Sequence, residues 1–324
     1  MTSRRPARPA GLSASWIPAL DVGGTHVTAG MVDLTTGQVR TTDASRRPVP
    51  PNGSAEQIVD AIAEGALGLG AGPGRSWAIA MPGPFDYERG IAHFHGVGKF
   101  QSLYGLDLRA ELMAALPRPS AITFVNDADA FLLGEHWVGA ARGHERAVGI
   151  TLGSGVGSSF LAEGAVVDQG PAVPPQGRVD LLTYRGRPLE DAVSRRAIRA
   201  AYARASGLAD VPLADVKEIA DRARAGDLVA RRVLTRSMSV LGRAIAPWLA
   251  RFRATVLVVG GSITGSWDLI APPLRTVIGV PRPLRSTGFV LLPAARPVQA
   301  PLLGAALCLA AEATPPHLAR RLRR

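Results

Sequence analysis

Asp21 stands two residues before a glycine pair in the run Leu20-Asp21-Val22-Gly23-Gly24-Thr25-His26-Val27, which puts a carboxylate at the mouth of a glycine-lined turn. Glycines let the backbone approach a ligand closely, and the exposed N–H groups of such a turn form a concavity for phosphate oxygens. A carboxylate beside a phosphate cradle is repelled unless a divalent cation lies between them, so the pattern suits a magnesium–nucleotide site. The same residues also suit a tight hairpin around a buried, hydrogen-bonded aspartate, and this short motif alone leaves both readings open. Two further glycine turns follow, Gly153-Ser154-Gly155-Val156-Gly157 and Gly260-Gly261-Ser262, and between the first turn and these lies the polar pair Asn126-Asp127.

Each of these groups ends a short apolar run. Residues 16–22, a short apolar run broken by Asp21, and the alternating run 27–32 read as a β-hairpin, and a Thr36-Gly37 turn leads to a third strand. Residues 54–69 have helical spacing, with Ile58, Val59, Ile62, Ala63 and Leu67 on one face and Ser54 as N-cap. A strand at 77–80 runs into Met81-Pro82-Gly83-Pro84. A glycine-rich loop, 85–105, carries His93, His95 and Lys99. Residues 106–116 suit a helix, 121–125 a buried strand ending at Asn126-Asp127, and 129–139 another helix. Residues 146–152 form a strand entering the second glycine turn, with a further strand at Phe160. The strand–glycine turn–strand unit therefore reappears about 130 residues after its first occurrence, which implies two similar halves. Residues 189–206 and 213–253 look helical, 255–259 is a strand opening into the third turn, and 302–311 is an apolar terminal helix. Strands alternating with helices predict an α/β fold with ligands at the carboxyl ends of the strands.

Composition bounds the rest. A length of 324 residues suggests two domains, and 47% hydrophobic with 19% charged residues is ordinary for a globular protein. No apolar run reaches the roughly 18–20 residues of a membrane span, and no apolar segment precedes Asp21 as in a secretory signal. The single cysteine, Cys308, excludes an internal disulfide framework and a Cys-rich zinc site. These features predict a cytoplasmic protein with no membrane partner. Much of the net charge of +11 comes from Arg4, Arg5 and Arg8 in a Pro-rich leader, and from Arg320, Arg321, Arg323 and Arg324 at the tail. Only Lys99 and Lys217 are lysines, and no basic–aromatic interleaving or recognition helix is evident, so nucleic acid is not an expected partner.

Taken in order, Asp21-Val22-Gly23-Gly24-Thr25, Asn126-Asp127-Ala128-Asp129-Ala130 with Gly134-Glu135, Leu152-Gly153-Ser154-Gly155-Val156-Gly157 and Val259-Gly260-Gly261-Ser262 resemble the ROK family of bacterial sugar kinases and repressors across residues 17–312. The resemblance implies an α/β fold of two actin-like ATPase (ribonuclease H-like) domains around a central cleft. The expected division is a disordered leader at 1–15, an N-terminal domain of 16–125 plus 300–318, and a C-terminal domain of 126–299. It implies ATP and Mg²⁺ as cofactors, with Asp21 on magnesium, directly or through water. Gly23, Gly24 and Thr25 correspond to the first phosphate loop, Gly153, Ser154 and Gly155 to the second, and Gly260, Gly261 and Ser262 to the adenosine turn. Asp127 corresponds to the catalytic base and Asn126 to a sugar-hydroxyl ligand, with Gly83 a further candidate on the sugar side. Phosphoryl transfer needs positioning and a group to take the hydroxyl proton, and an Asp at the end of a buried strand is rigidly placed to do so. Asn126-Asp127 also reads as a helix N-cap, and both roles are compatible.

The chain departs from the family where kinases carry a Glu-x-Gly-His element and a Cys-rich zinc loop. The corresponding stretch is Pro174-Pro175-Gln176-Gly177-Arg178-Val179-Asp180, with Arg178 at the His position and no cysteine after it. No structural zinc is expected. Gln176 and Arg178 are candidate replacements on the sugar side, and Glu190 matches a sugar-contacting glutamate, or else is a first-turn helix carboxylate. The stretch Gly96-Val97-Gly98-Lys99-Phe100 lacks the Asn of a sugar-contacting element in family kinases; Lys99 reads as a contact to substrate or nucleotide or as a solvated loop lysine, and His93 and His95 lack a third ligand.

The reading is an ATP-dependent sugar kinase acting on a primary, 6-type hydroxyl, glucose by default. An amino sugar or cyclitol in a biosynthetic pathway is the alternative acceptor. A non-catalytic sugar sensor or transcriptional regulator is the alternative class. Only 20 residues precede Asp21, too few for the DNA-binding domain of a family repressor, which favours the kinase. A homodimer is an expected assembly.

Overall fold

The computed structural model describes residues 16–42, 46–72, 74–207, 214–279 and 288–313. The expected leader, the two arginine-rich termini and the start of the 213–253 helix lie outside them. The chain divides into two compact units, Met1–Gly139 with Arg296–Arg324, and Ala140–Ala295.

In the first unit, β1 (Trp16–Val22) and β2 (His26–Asp33) form an antiparallel hairpin registered from Trp16 opposite Asp33 to Val22 opposite Val27. β3 (Gln38–Arg40) and β4 (Arg46–Pro48) both pair with β2. Two crossovers then add strands parallel to β1. β5 (Ser76–Met81) pairs with β1, and β8 (Ala121–Asn126) pairs with β5, after a short hairpin of β6 (Phe85–Asp86) and β7 (Ile91–Ala92).

Alternation along the strands serves two cores. Leu20, Val22, Trp77 and Ile79 pack with Ile58 and Ile62 of α1 (Ala55–Leu67) and Leu108 and Leu112 of α2 (Leu108–Ala115). The expected Ser54 cap is present as a capping box with Gln57. On the opposite face, Ile17, Ala19, Ala78 and Ala80 meet α3 (Asp127–Val138) and a C-terminal helix, Ala300–Glu312.

Those two helices cross at glycine. A Cβ on Gly134 would run into the Ala300 carbonyl, and one on Gly304 into the Ala130 carbonyl. This close approach draws α3 into the first unit, although sequence order suggested grouping it with the second domain. The helix also begins at Asp127 rather than 129, because Asn126 supplies the cap.

The second unit repeats the plan. β9 (Arg146–Leu152) and β10 (Val156–Ala162) form the hairpin, β11 (Ala165–Val166) extends β10, and β14 (Val256–Gly260) and β15 (Val290–Pro293) add parallel strands. The order β11-β10-β9-β14-β15 matches β3-β2-β1-β5-β8 of the first sheet. The duplication read from the two glycine turns is thus a duplication of whole sheets. A small hairpin, β12 (Thr183–Tyr184) with β13 (Arg187–Pro188), precedes the helices.

Two stretches that read as single helices are split by caps. Ser194 ends α4 (Glu190–Val193) and caps α5 (Arg195–Ser206). Gly226, at φ 101°, and Asp227, whose side chain accepts from Val229 and Ala230, separate α6 (Val216–Arg224) from α7 (Leu228–Phe252). α8 (Trp267–Ile278) follows β14, and the C-terminal helix is α9. Among the described residues no helix is long and apolar enough to cross a membrane.

Candidate active site

Parallel pairing aligns the carboxyl ends of β1, β5 and β8. Asp21 is level with Ala80, and Ala80 with Val125, so Asp21, the Met81-Pro82-Gly83-Pro84 turn and Asn126-Asp127 emerge side by side from one sheet edge. Asp21 is half-buried. Burial pushes its carboxyl up to about 7, and the charge of Asp127 adds to the effect. Asp127 opens α3 and accepts from the Ala128 N–H at 2.8 Å, where the positive end of the helix favours a carboxylate.

Asn126 performs two tasks. Its Oδ1 accepts from the N–H groups of Ala128 and Asp129 at 3.0 and 3.2 Å, capping α3. Its Nδ2 donates to the Tyr87 hydroxyl at 2.9 Å, which itself donates to the Met81 carbonyl at 3.2 Å. Tyr87 thereby ties the end of β8 to the end of β5 and fixes the Asn126 amide. The same hydroxyl lies 3.4 Å from where a Cβ on Gly83 would stand. No pattern in the sequence pointed to Tyr87, since its partners are brought to it only by the parallel sheet.

The first glycine turn closes through Gly23 N–H to the His26 carbonyl at 2.8 Å, and β4 steadies it through Val49 N–H to the Thr25 carbonyl at 2.9 Å. Gly24 is half-buried, while Thr25 is exposed and its hydroxyl pairs with His26 Nδ1 at 3.0 Å. The Asp21 carboxylate beside this turn is a fitting donor for magnesium, which keeps several waters and takes one or two protein carboxylates with substrate phosphates. Among the described residues no group of three or more His, Cys, Asp or Glu is placed to hold a metal ion.

The second unit gathers the other two turns. Gly153 N–H donates to the Gly155 carbonyl at 3.0 Å between β9 and β10, and Gly260-Gly261 ends β14. Gly261 has φ 88°, and a Cβ there would strike the Leu152 backbone, so glycine is required where the third turn crosses the second. Ser262 begins a short 3₁₀ turn, Ser262–Ser266, and its Oγ is the atom a Cβ on Gly153 would meet, at 3.9 Å. Ser154 is exposed at the tip.

Glu190 lies against this turn. Its Oε1 accepts from the Val156 N–H at 2.9 Å and would stand 2.5 Å from a Cβ on Gly155, and the Gly153 carbonyl accepts from Arg195 N–H at 2.9 Å. The carboxylate expected to touch an acceptor therefore braces the second glycine turn. Gln176 is exposed with φ 58°, and Gly177 follows at φ 66°. Arg178 is engaged by Asp180 in a bidentate pair, Nε to Oδ1 at 3.2 Å and Nη2 to Oδ2 at 2.5 Å. In the first unit His93 and His95 are exposed, with His95 against Tyr104, and Lys99 is half-buried.

The ROK family matches residues 17–312. This chain belongs to the ROK family. It is similar to the glucokinase of Thermotoga maritima, 31% identical over 276 residues that cover 79% of this chain and 84% of that one. An N-acetyl-D-glucosamine kinase of Salmonella arizonae is 30% identical over 146 residues, covering 44% of this chain and 45% of that one. Among solved structures, the ROK hexokinase of Thermus thermophilus aligns with a TM-score of 0.65 and 26% identity over 90% of this chain and 97% of that one. The ROK glucokinase of Streptomyces griseus, solved with glucose and AMPPNP, aligns with a TM-score of 0.72 over 90% of this chain and 98% of that one; at 23% identity it speaks for the fold. The duplicated sheets are the two actin-like domains that the ordered motifs implied.

Proposed function

We propose that this ATP-dependent carbohydrate kinase transfers the γ-phosphoryl group to the primary, 6-type hydroxyl of a hexose, with glucose the default acceptor. The observation that carries the reading is Asp127, fixed at the start of α3 beside Asp21 at one edge of three parallel strands. Asp127 takes the proton of the attacking hydroxyl at its carboxylate, and Asn126, steadied by Tyr87, orients that hydroxyl. Asp21 is the residue to hold magnesium, and the turns at Gly23-Gly24-Thr25, Gly153-Ser154-Gly155 and Gly260-Gly261-Ser262 correspond to the phosphate and adenosine turns of the family. Magnesium, when bound, neutralises charge on the transferring phosphoryl group. Glucokinases among the relatives support glucose as acceptor.

A second acceptor reading, an amino sugar or cyclitol, is raised by the departure from the family at Arg178, where family kinases carry histidine; Arg178 and Asp180, held together as a bidentate pair, equally serve an ordinary hexose. A coupled ADP-release assay over glucose, mannose, N-acetylglucosamine, N-acetylmannosamine and inositol decides between them. Glucose giving the highest kcat/KM supports the leading reading. An amino sugar or inositol doing so supports the second, and no ADP release with any acceptor points to a sensor.

A further inference from the structure

Residues 167–189, between β11 and α4, form a long excursion whose regular structure amounts to two short 3₁₀ turns and one two-rung hairpin. Loops of this length in compact domains need dedicated ties to hold one conformation. The excursion carries three apolar anchors into the core of the second unit, Val173, Val179 and Leu189. Its turn at Gln176-Gly177 is nevertheless unfavourable. Two successive residues sit in the left-handed region, at φ 58° and 66°, and the first is not glycine. Such a conformation persists only where the surroundings over-determine it.

Ser158 does so. It lies on β10 between Val156 and Phe160, opposite Ile150 of β9, and is only 7% exposed. Its hydroxyl donates to the Gly177 carbonyl at 2.7 Å and accepts from the Val179 N–H at 2.9 Å. One buried hydroxyl thus satisfies a carbonyl and an amide on either side of Arg178. The Arg178–Asp180 ion pair closes the same turn from outside.

We infer that Ser158 is the clasp that holds the Gln176-Gly177-Arg178 turn in its working conformation, and so acts as a positioning residue for the acceptor. The inference rests on the reading of Gln176 and Arg178 as acceptor contacts. Without the hydroxyl, Gly177 and Val179 lose a buried partner, and the left-handed turn keeps only its local closures, Gly177 N–H to the Pro174 carbonyl at 2.8 Å, Arg178 N–H to the Pro175 carbonyl at 3.0 Å and the Arg178–Asp180 pair, so the fraction of molecules with the turn formed falls. The acceptor then binds only the fraction of molecules in which the turn is formed, and its apparent affinity falls by that fraction. The Gly153-Ser154-Gly155 turn retains its own closure and its brace from Glu190, so nucleotide binding is spared.

The test compares Ser158→Ala and Ser158→Thr with the wild type by steady-state kinetics and by hydrogen–deuterium exchange of peptides spanning 174–182. Ser158→Ala is expected to raise the acceptor KM about tenfold, leave the ATP KM and kcat within about twofold, and speed exchange at the Val179 amide at least tenfold. Ser158→Thr, which keeps the hydroxyl, is expected to stay near wild type. Gly177→Ala strains the same turn without touching β10 and should reproduce the acceptor KM effect if Ser158→Ala fails to fold. Unchanged exchange and acceptor KM overturn the clasp, as does a parallel loss of ATP affinity and kcat. A wild type that phosphorylates no acceptor sinks the kinase reading instead, and the exchange measurement then decides the clasp alone.

Discussion

Asp21 stands close enough to Asp127 that burial, reinforced by the Asp127 charge, carries the Asp21 carboxyl to about 7. A carboxyl whose folded pKa lies above its ordinary value binds its proton more tightly in the folded state. The ionised form therefore destabilises the metal-free protein increasingly from about pH 4 to about pH 7, and fully above that. Asp21→Asn abolishes the ionisation. Its stability should match the wild type near pH 4 and exceed it by a margin that grows to on the order of 4 kcal/mol above pH 7, about three pKa units at about 1.4 kcal/mol each. Thermal melts without metal at pH 4.5, 6 and 8 check this, and a pH-independent difference contradicts it.

Tyr87 joins β5 to β8 through one hydroxyl. Tyr87→Phe should lower stability by about 1 kcal/mol and raise the acceptor KM several-fold, with kcat nearly unchanged, because Asn126 loses its orienting partner while Asp127 stays capped by the helix. Denaturant melts and acceptor titrations measure both. An unchanged acceptor KM removes Asn126 from the acceptor site.

Much of this arrangement is legible in sequence because it is local. The β1–β2 hairpin follows from an apolar run broken only by Asp21, an adjacent glycine turn and a second apolar run, and Asn126 from a capping residue just ahead of an apolar helix. The split between α6 and α7 is hidden, since apolar spacing continues across Gly226 and Asp227. The hydrogen bonds that shape the site are long-range, with Tyr87 39 residues from Asn126, Ser158 21 from Val179 and Glu190 34 from Val156. No local pattern encodes such pairs. Glu190 shows the consequence: the resemblance offered it as an acceptor contact, and only the fold shows that its carboxylate also braces the glycine turn through the Val156 N–H.

That brace separates two substitutions. Glu190→Gln keeps an oxygen for the Val156 N–H and should leave the ATP KM within about twofold, whereas Glu190→Ala strands the amide, costing about 1–2 kcal/mol, and should raise the ATP KM about fivefold. ATP titrations at saturating acceptor compare them. Equal ATP KM values for the two variants contradict the bracing role.

Gly261 occupies a left-handed conformation with the Leu152 backbone where a side chain would begin. Gly261→Ala should destabilise the protein by about 2 kcal/mol or more and weaken ATP binding at least tenfold, with the acceptor KM little changed. Calorimetric titration with a non-hydrolysable ATP analogue reads the affinity, and wild-type affinity in the variant would take the third turn out of the nucleotide site.

The central claim is that Asp127 takes the acceptor proton. Single-turnover ADP release by Asp127→Asn, alongside calorimetric ATP binding, tests it most directly. The amide keeps the helix start and removes only the basicity, so turnover should fall by about 10²–10⁴ while ATP affinity stays within a few-fold and the melting temperature does not drop. Turnover within a few-fold of wild type in a folded, ATP-binding Asp127→Asn variant would contradict the account.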